Sequence, residues 1–103
     1  MSSPELRVDR RVVVEMVRLA SEEVPGVLRV GRRGPRWRAW LAGNPVRVRL
    51  AEGRADVRLA IVARPGHGLE PLVTQVRSAV AGAVERLLGL EATEVTIVVD
   101  AVG

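Results

Sequence analysis

Apolar and polar positions alternate along this chain in two distinct periods, and the switches between them mark its elements. From Arg10 to Glu23 the apolar residues fall at Val13, Met16, Val17 and Ala20, with Val24 next in phase, the 3.6-residue repeat of an amphipathic helix. Asp9 stands where its carboxylate can accept from an orphan amide of the first turn, and Pro25-Gly26 ends the run. Val27 to Val30 reads as a strand, and Leu6-Arg7-Val8 as a short one before the helix. Val46, Val48 and Leu50 then alternate with Arg47 and Arg49, and Ala55, Val57, Leu59 and Ile61 with Asp56 and Arg58. With Glu52-Gly53 as a two-residue hairpin loop, Leu50 faces Ala55, Val48 faces Val57 and Val46 faces Leu59. That register gathers the large apolar side chains on one face. On the other it sets Arg49 opposite Asp56, a favourable pair, and Arg47 opposite Arg58, an unfavourable one.

After a turn at Pro65-Gly66-His67-Gly68, the stripe Leu69, Leu72, Val73, Val76, Val80, Ala83, Val84 and Leu87 predicts a second helix. Pro71 suits its first turn, and Gly89 its left-handed end, with Leu90 folding back. Val95, Ile97 and Val99 alternate with Thr96, Val98 and Asp100 in a closing strand. The expected fold is α+β, a two-layer sandwich. Two helices pack on one face of a small three- to four-stranded, mostly antiparallel sheet, as one domain over residues 1–103. The segment Gly31 to Pro45 has no clear period and reads as an arginine-rich loop, with a short strand around Trp37 to Leu41.

Charge changes this picture. All 16 basic residues are arginine. Between Glu23 and Glu52 stand Arg29, Arg32, Arg33, Arg36, Arg38, Arg47 and Arg49 without a single acid, although the net charge of the whole chain is only +4. Such asymmetry points toward an acidic partner: phosphate, anionic lipid or an acidic protein face. Trp37 and Trp40, the only aromatic residues, lie in the same segment. They are suited to closing the edge of the core, to anchoring a protein interface or a lipid boundary, or to stacking on bases.

Candidate chemistry narrows the function further. There is no cysteine, and the one histidine, His67, sits in a glycine-rich turn with no second histidine to build a zinc set. The four serines, Ser2, Ser3, Ser21 and Ser78, lie in no nucleophile-elbow context. No cofactor, metal or catalytic residue is expected. Gly66-His67-Gly68 lacks the remaining residues of a dinucleotide fingerprint or a P-loop and reads as a strand-to-helix turn. Gly31-Arg32-Arg33-Gly34 matches the backbone clamp of KH domains but follows a strand rather than joining two helices, and reads as a basic surface turn. The absence of a long apolar run and of a signal-like start makes cytoplasmic residence the expectation.

Two motifs add a resemblance. Glu23-Val24-Pro25-Gly26-Val27 follows a valine-rich helix. Further on, a glycine turn leads into a long helix ending Gly89-Leu90, then Glu94-Val95-Thr96-Ile97-Val98-Val99. In this order the chain resembles the alkaline-shock-protein family of bacterial envelope stress response proteins (Gls-type general stress proteins). The matching parts span nearly everything except Gly31 to Pro45. It departs from the pattern at Pro65, where an aromatic is usual, and at Gly68, and it lacks the family's long charged tails, as a core-only member would. The resemblance implies a non-enzymatic cytoplasmic protein at the inner face of the membrane, attached through a membrane-anchored partner or by self-assembly. The leading expectation is therefore a scaffold or adaptor in envelope homeostasis, with protein partners, a second copy among them, contacting Arg32, Arg33, Arg36, Trp37, Arg38 and Trp40. Its rival is a small RNA-binding domain using the same segment, residues 29–49, on phosphates and bases.

Overall fold

In a computed structural model that describes residues 9–32 and 43–103, the element order is α1 (Arg10–Glu22), β1 (Val27–Val30), β2 (Val46–Ala51), β3 (Arg54–Ala63), α2 (Leu69–Leu88) and β4 (Glu91–Val102). The strands expected at residues 6–8 and 37–41 lie outside the described residues. Asp9 caps α1 by accepting from the Arg11 amide at 2.9 Å. Arg18 is bracketed on the exposed side of α1 by Glu15 and Glu22. The hydrogen bond and charge of Glu15, helped by Glu22, hold its guanidinium above the usual range.

The hairpin forms in the expected register: Val46 opposite Leu59, Arg47 opposite Arg58, Val48 opposite Val57, Arg49 opposite Asp56 and Leu50 opposite Ala55. Its loop has φ +46° at Glu52 and +77° at Gly53. Both values are positive, the twist that a two-residue loop needs to match right-twisted strands.

β3 is the spine of the sheet. Along one edge it pairs antiparallel with both β1 and β2, and along the other it pairs parallel with β4 over its whole length. Two of the three pairings are thus antiparallel, and the parallel one follows from element lengths. β3, of 10 residues, advances ~33 Å, and the 20 residues of α2 carry the chain back ~30 Å. Gly89, at φ +67°, then turns the chain so that the Glu91 amide meets the Gly53 carbonyl at 2.9 Å. β4 therefore starts where β3 starts, with Glu91 beside Arg54, and runs the same way.

Both helices cover the same sheet face. Val13, Val17 and Val24 from the first third of the chain meet Val57, Leu59 and Ile61 of β3 and Leu72, Val76, Val80 and Val84 of α2 in one buried cluster. Val95, Ile97 and Val99 complete it from β4, and Leu90 packs against it as expected. The helical stripes are narrower than the pattern implied. Leu69 and Leu87 remain 45% and 65% exposed, because α1, with 13 residues, is too short to flank both ends of the 20-residue α2. Ser21, not assigned to the α1 stripe, is sealed in the core, its hydroxyl donating to the Val17 carbonyl at 2.8 Å. The self-contained bond removes the penalty of burying a hydroxyl.

Pro25-Gly26 has a tertiary reason beyond stopping α1. A Cβ on Gly26 would stand 2.7 Å from Leu72 Cδ1 and 3.1 Å from His67 Nδ1. The Gly26 carbonyl meanwhile accepts from the Arg64 amide at 2.8 Å. The turn after α1 is thus wedged against the turn before α2, and a side chain at residue 26 would force Leu72 and the His67 ring to shift.

Candidate partner-binding face

The residues between the core positions of each strand point away from the helices. On β2 these are Arg47 and Arg49, on β3 Asp56, Arg58, Ala60 and Val62, and on β4 Glu94, Thr96 and Val98. Register turns them into rungs. Arg49, Asp56 and Glu94 form one, Arg47, Arg58 and Thr96 the next, and Ala60 and Val98 continue the third. No helix of the described residues packs on this face. Ala60 and Val62 are nevertheless 4% and 3% exposed.

The cross-strand partners Arg49 and Asp56 stand opposite one another without an ion pair, against expectation. The Asp56 carboxylate accepts instead from the Thr93 hydroxyl, which also reaches the Ala55 carbonyl at 3.3 Å. Among the described residues Arg47, Arg49 and Arg58 form no ion pair, whereas Arg18 is held by two carboxylates. Among the described residues the guanidiniums of the open face thus have no direct carboxylate partner, although Asp56 and Glu94 share the rung of Arg49.

Beside the rung of Arg47, Arg58 and Thr96 lies a cavity of about 220 Å³, lined by Arg32, Asn44, Arg47 and Arg58 around Ala60 and Val98. β1 and β2 place the first three. The Gly31 amide donates to the Ala60 carbonyl at 3.0 Å, and the Ala60 amide to the Pro45 carbonyl at 2.9 Å, so the chain leaves β3 and returns to it at one residue. Arg32 and Asn44 flank that point. The Arg32 Nε is buried without an acceptor, and the Arg32 carbonyl accepts from Arg29 Nη2 at 3.3 Å. Asn44 turns its Oδ1 to the Val46 amide at 2.9 Å.

Of the expected contact residues, Arg32 is therefore at the rim of the open face. Arg33, Arg36, Trp37, Arg38 and Trp40 lie outside the described residues, as does half of the Gly31 to Gly34 motif. Arg58 and Asn44 escaped the sequence reading. Its one signal was the like-charged Arg47–Arg58 pair in the predicted hairpin, which reads as a liability until the cavity beside it is seen. His67 is exposed and stands against Gly26, in the strand-to-helix turn its glycines suggested. Among the described residues no group of three His, Cys, Asp or Glu side chains is placed to hold a metal ion, and no helix is long and apolar enough to cross a membrane. The far edge of the sheet is partly guarded, since Arg77 Nε of α2 donates to the Val95 carbonyl of β4 at 3.2 Å.

Comparison with solved structures places the same architecture elsewhere. A MamM CTD variant in its copper form is 20% identical, with a TM-score of 0.65 over 90% of this chain and 98% of that one. Another variant in a manganese form is 21% identical, with a TM-score of 0.64 over 90% and 99%. At that identity the likeness concerns the fold. Comparison with curated proteins gives no match. The sequence itself is more telling, because residues 2–103 match the model of the alkaline-shock-protein family, described as having a cell envelope-related function. With the Glu-Val-Pro-Gly-Val turn wedged against the second helix and the Gly-Leu ending that launches β4, the chain belongs to the alkaline-shock-protein family.

Proposed function

We propose that the chain is a non-catalytic binding domain, a scaffold or adaptor in a cell-envelope process, acting from the cytoplasm at the inner face of the membrane. A protein partner docks on the open face of its sheet. One observation carries this reading. A single layer of helices covers one side of the sheet, and the other side presents Arg47, Arg49 and Arg58 with no ion pair among the described residues. Charges held out of ion pairs on a rigid sheet cost stability and suit an acidic complement brought by a partner. The family's envelope-related description agrees with such a role. Catalysis finds no support in the residue inventory, for the lone His67 lies in an exposed turn and Ser21 is sealed in the core.

The test places a photo-crosslinking amino acid at Arg49 on the open face and, separately, at Gln75 on the helical layer. Irradiation of living cells should give a discrete protein adduct from position 49 and none from position 75, enriched in the membrane fraction. Adducts from both positions, or from neither, would remove the open face as the docking surface. An adduct that nuclease dissolves and salt weakens steeply would turn the assignment to RNA.

A further inference from the structure

The cavity beside the Arg47–Arg58 rung has an unusual balance of hydrogen-bonding groups. Its acceptors are already used. The Ala60 carbonyl takes the Gly31 amide, the Pro45 carbonyl takes the Ala60 amide, the Arg32 carbonyl takes Arg29, and Asn44 Oδ1 takes the Val46 amide. That last bond also fixes the orientation of the Asn44 amide, since a backbone N–H requires the oxygen, and leaves its NH₂ group over. What remains are donors: the Asn44 NH₂, the buried Arg32 Nε without an acceptor, and the guanidiniums of Arg47 and Arg58. Among the described residues no acidic side chain lines the cavity. Its floor is apolar and short, Ala60 and Val98, so an anion can approach the sheet closely.

We infer that this cavity is a binding site for a phosphate group, a phosphomonoester held by Arg32, Arg47 and Arg58 with Asn44 as an additional donor. A monoester carries about −1.5 to −2 charge at neutral pH and three acceptor oxygens, which suits a site of several guanidinium forks and no counter-charge. Size agrees with a small anion. A volume of about 220 Å³ falls below the roughly 300–1,000 Å³ of sites that take whole organic ligands, so the cavity has room for the phosphate group while its carrier projects outward. The like-charged Arg47–Arg58 pair, a cost in the empty protein, becomes the positive field that the anion neutralises. This goes beyond partner binding and does not depend on it, because a crosslink at position 49 and phosphate in the cavity are separate readouts.

The probe is inorganic phosphate, titrated into the full chain at pH 7.5 with ionic strength held constant by sodium chloride, and followed by the arginine Nε–Hε signals in nitrogen-15 spectra. The signals of Arg32, Arg47 and Arg58 should move and saturate together, while those of Arg77 and Arg86 on α2 stay in place. Arg58→Gln and Arg47→Gln should each weaken binding at least tenfold with the melting temperature unchanged or raised. Linear shifts that never saturate, or equal shifts at Arg77, would overturn the site. Flotation with vesicles containing phosphatidic acid, against phosphatidylglycerol vesicles of equal charge, locates the source. Capture by phosphatidic acid that free phosphate reverses and Arg58→Gln abolishes supports the site and assigns a lipid headgroup. Saturable phosphate binding without flotation supports the site and assigns a soluble phosphate. Flotation that survives Arg58→Gln and free phosphate, with no saturable titration, overturns it.

Discussion

The two faces of this sheet are built from the same strands, one residue out of phase, and they obey different rules. Leu59 and Arg58 are chain neighbours. Leu59 meets the helical layer and is 1% exposed; Arg58 faces Arg47 across the open side. On the covered face volume and shape decide stability, because each methyl group has neighbours that cannot fully relax when it is removed. The open face is ruled by charge and hydrogen-bond balance, and its choices make little sense for stability alone. A like-charged cross-strand pair and a buried guanidinium nitrogen without an acceptor are both costs to the isolated fold. The difference separates what keeps the protein folded from what it offers to others.

The contrast can be broken most forcefully at the neighbouring pair. Leu59→Ala should lower unfolding stability by about 3 kcal/mol in urea melts, from lost transfer energy and the cavity left behind. A loss below ~1 kcal/mol would mean the two layers are loosely packed. Next in size is Gly26→Ala, which drives a methyl into Leu72 and the His67 ring and should cost about 2 kcal/mol by overpacking. An unchanged melting temperature in this variant would contradict the wedge between the two turns. Glu52→Asn belongs to neither face and relieves a left-handed non-glycine residue at φ +46°. It should add about 1 kcal/mol while leaving phosphate affinity as it was, separating stability from the site. The smallest expected effect is Arg58→Thr, a gain of ~0.5 kcal/mol at low salt from removing repulsion and raising strand propensity. High salt screens the repulsion part of that gain. A loss of stability instead would show that Arg58 is paired in solution and remove the reason to seek its partner elsewhere.

Much of the covered face was legible in the sequence. Periodicity located both helices, and the Glu52-Gly53 loop set a register that every hairpin pair obeys. These features are local or tied to a two-residue turn, where spacing leaves few alternatives. The parallel course of β4 needed the comparison of helix and strand lengths, which residue patterns do not display. Ser21 was unreadable for another reason, since a hydroxyl satisfied by its own helix behaves as an apolar residue once buried. The open face was legible only in part. Arg32 is found at the rim of the cavity, but Arg58 and Asn44 join it from 26 and 12 residues away along the chain, through sheet register and through two strands meeting at Ala60.

That meeting point has an evolutionary meaning. Val30 stands opposite Ile61 and Val46 opposite Leu59, while Gly31 reaches the residue between, Ala60. Joining Gly31 directly to Val46 would therefore yield one continuous edge strand with register and in–out alternation intact. The chain thus leaves the scaffold after Gly31 and rejoins it at Val46 without shifting a single rung. Such a site lets a lineage exchange the intervening sequence while the core stays under separate selection, since the entropy of closing a longer excursion grows only slowly with its length. A chain lacking residues 32–45 should fold with nearly the parental stability and lose the phosphate site with Arg32 and Asn44.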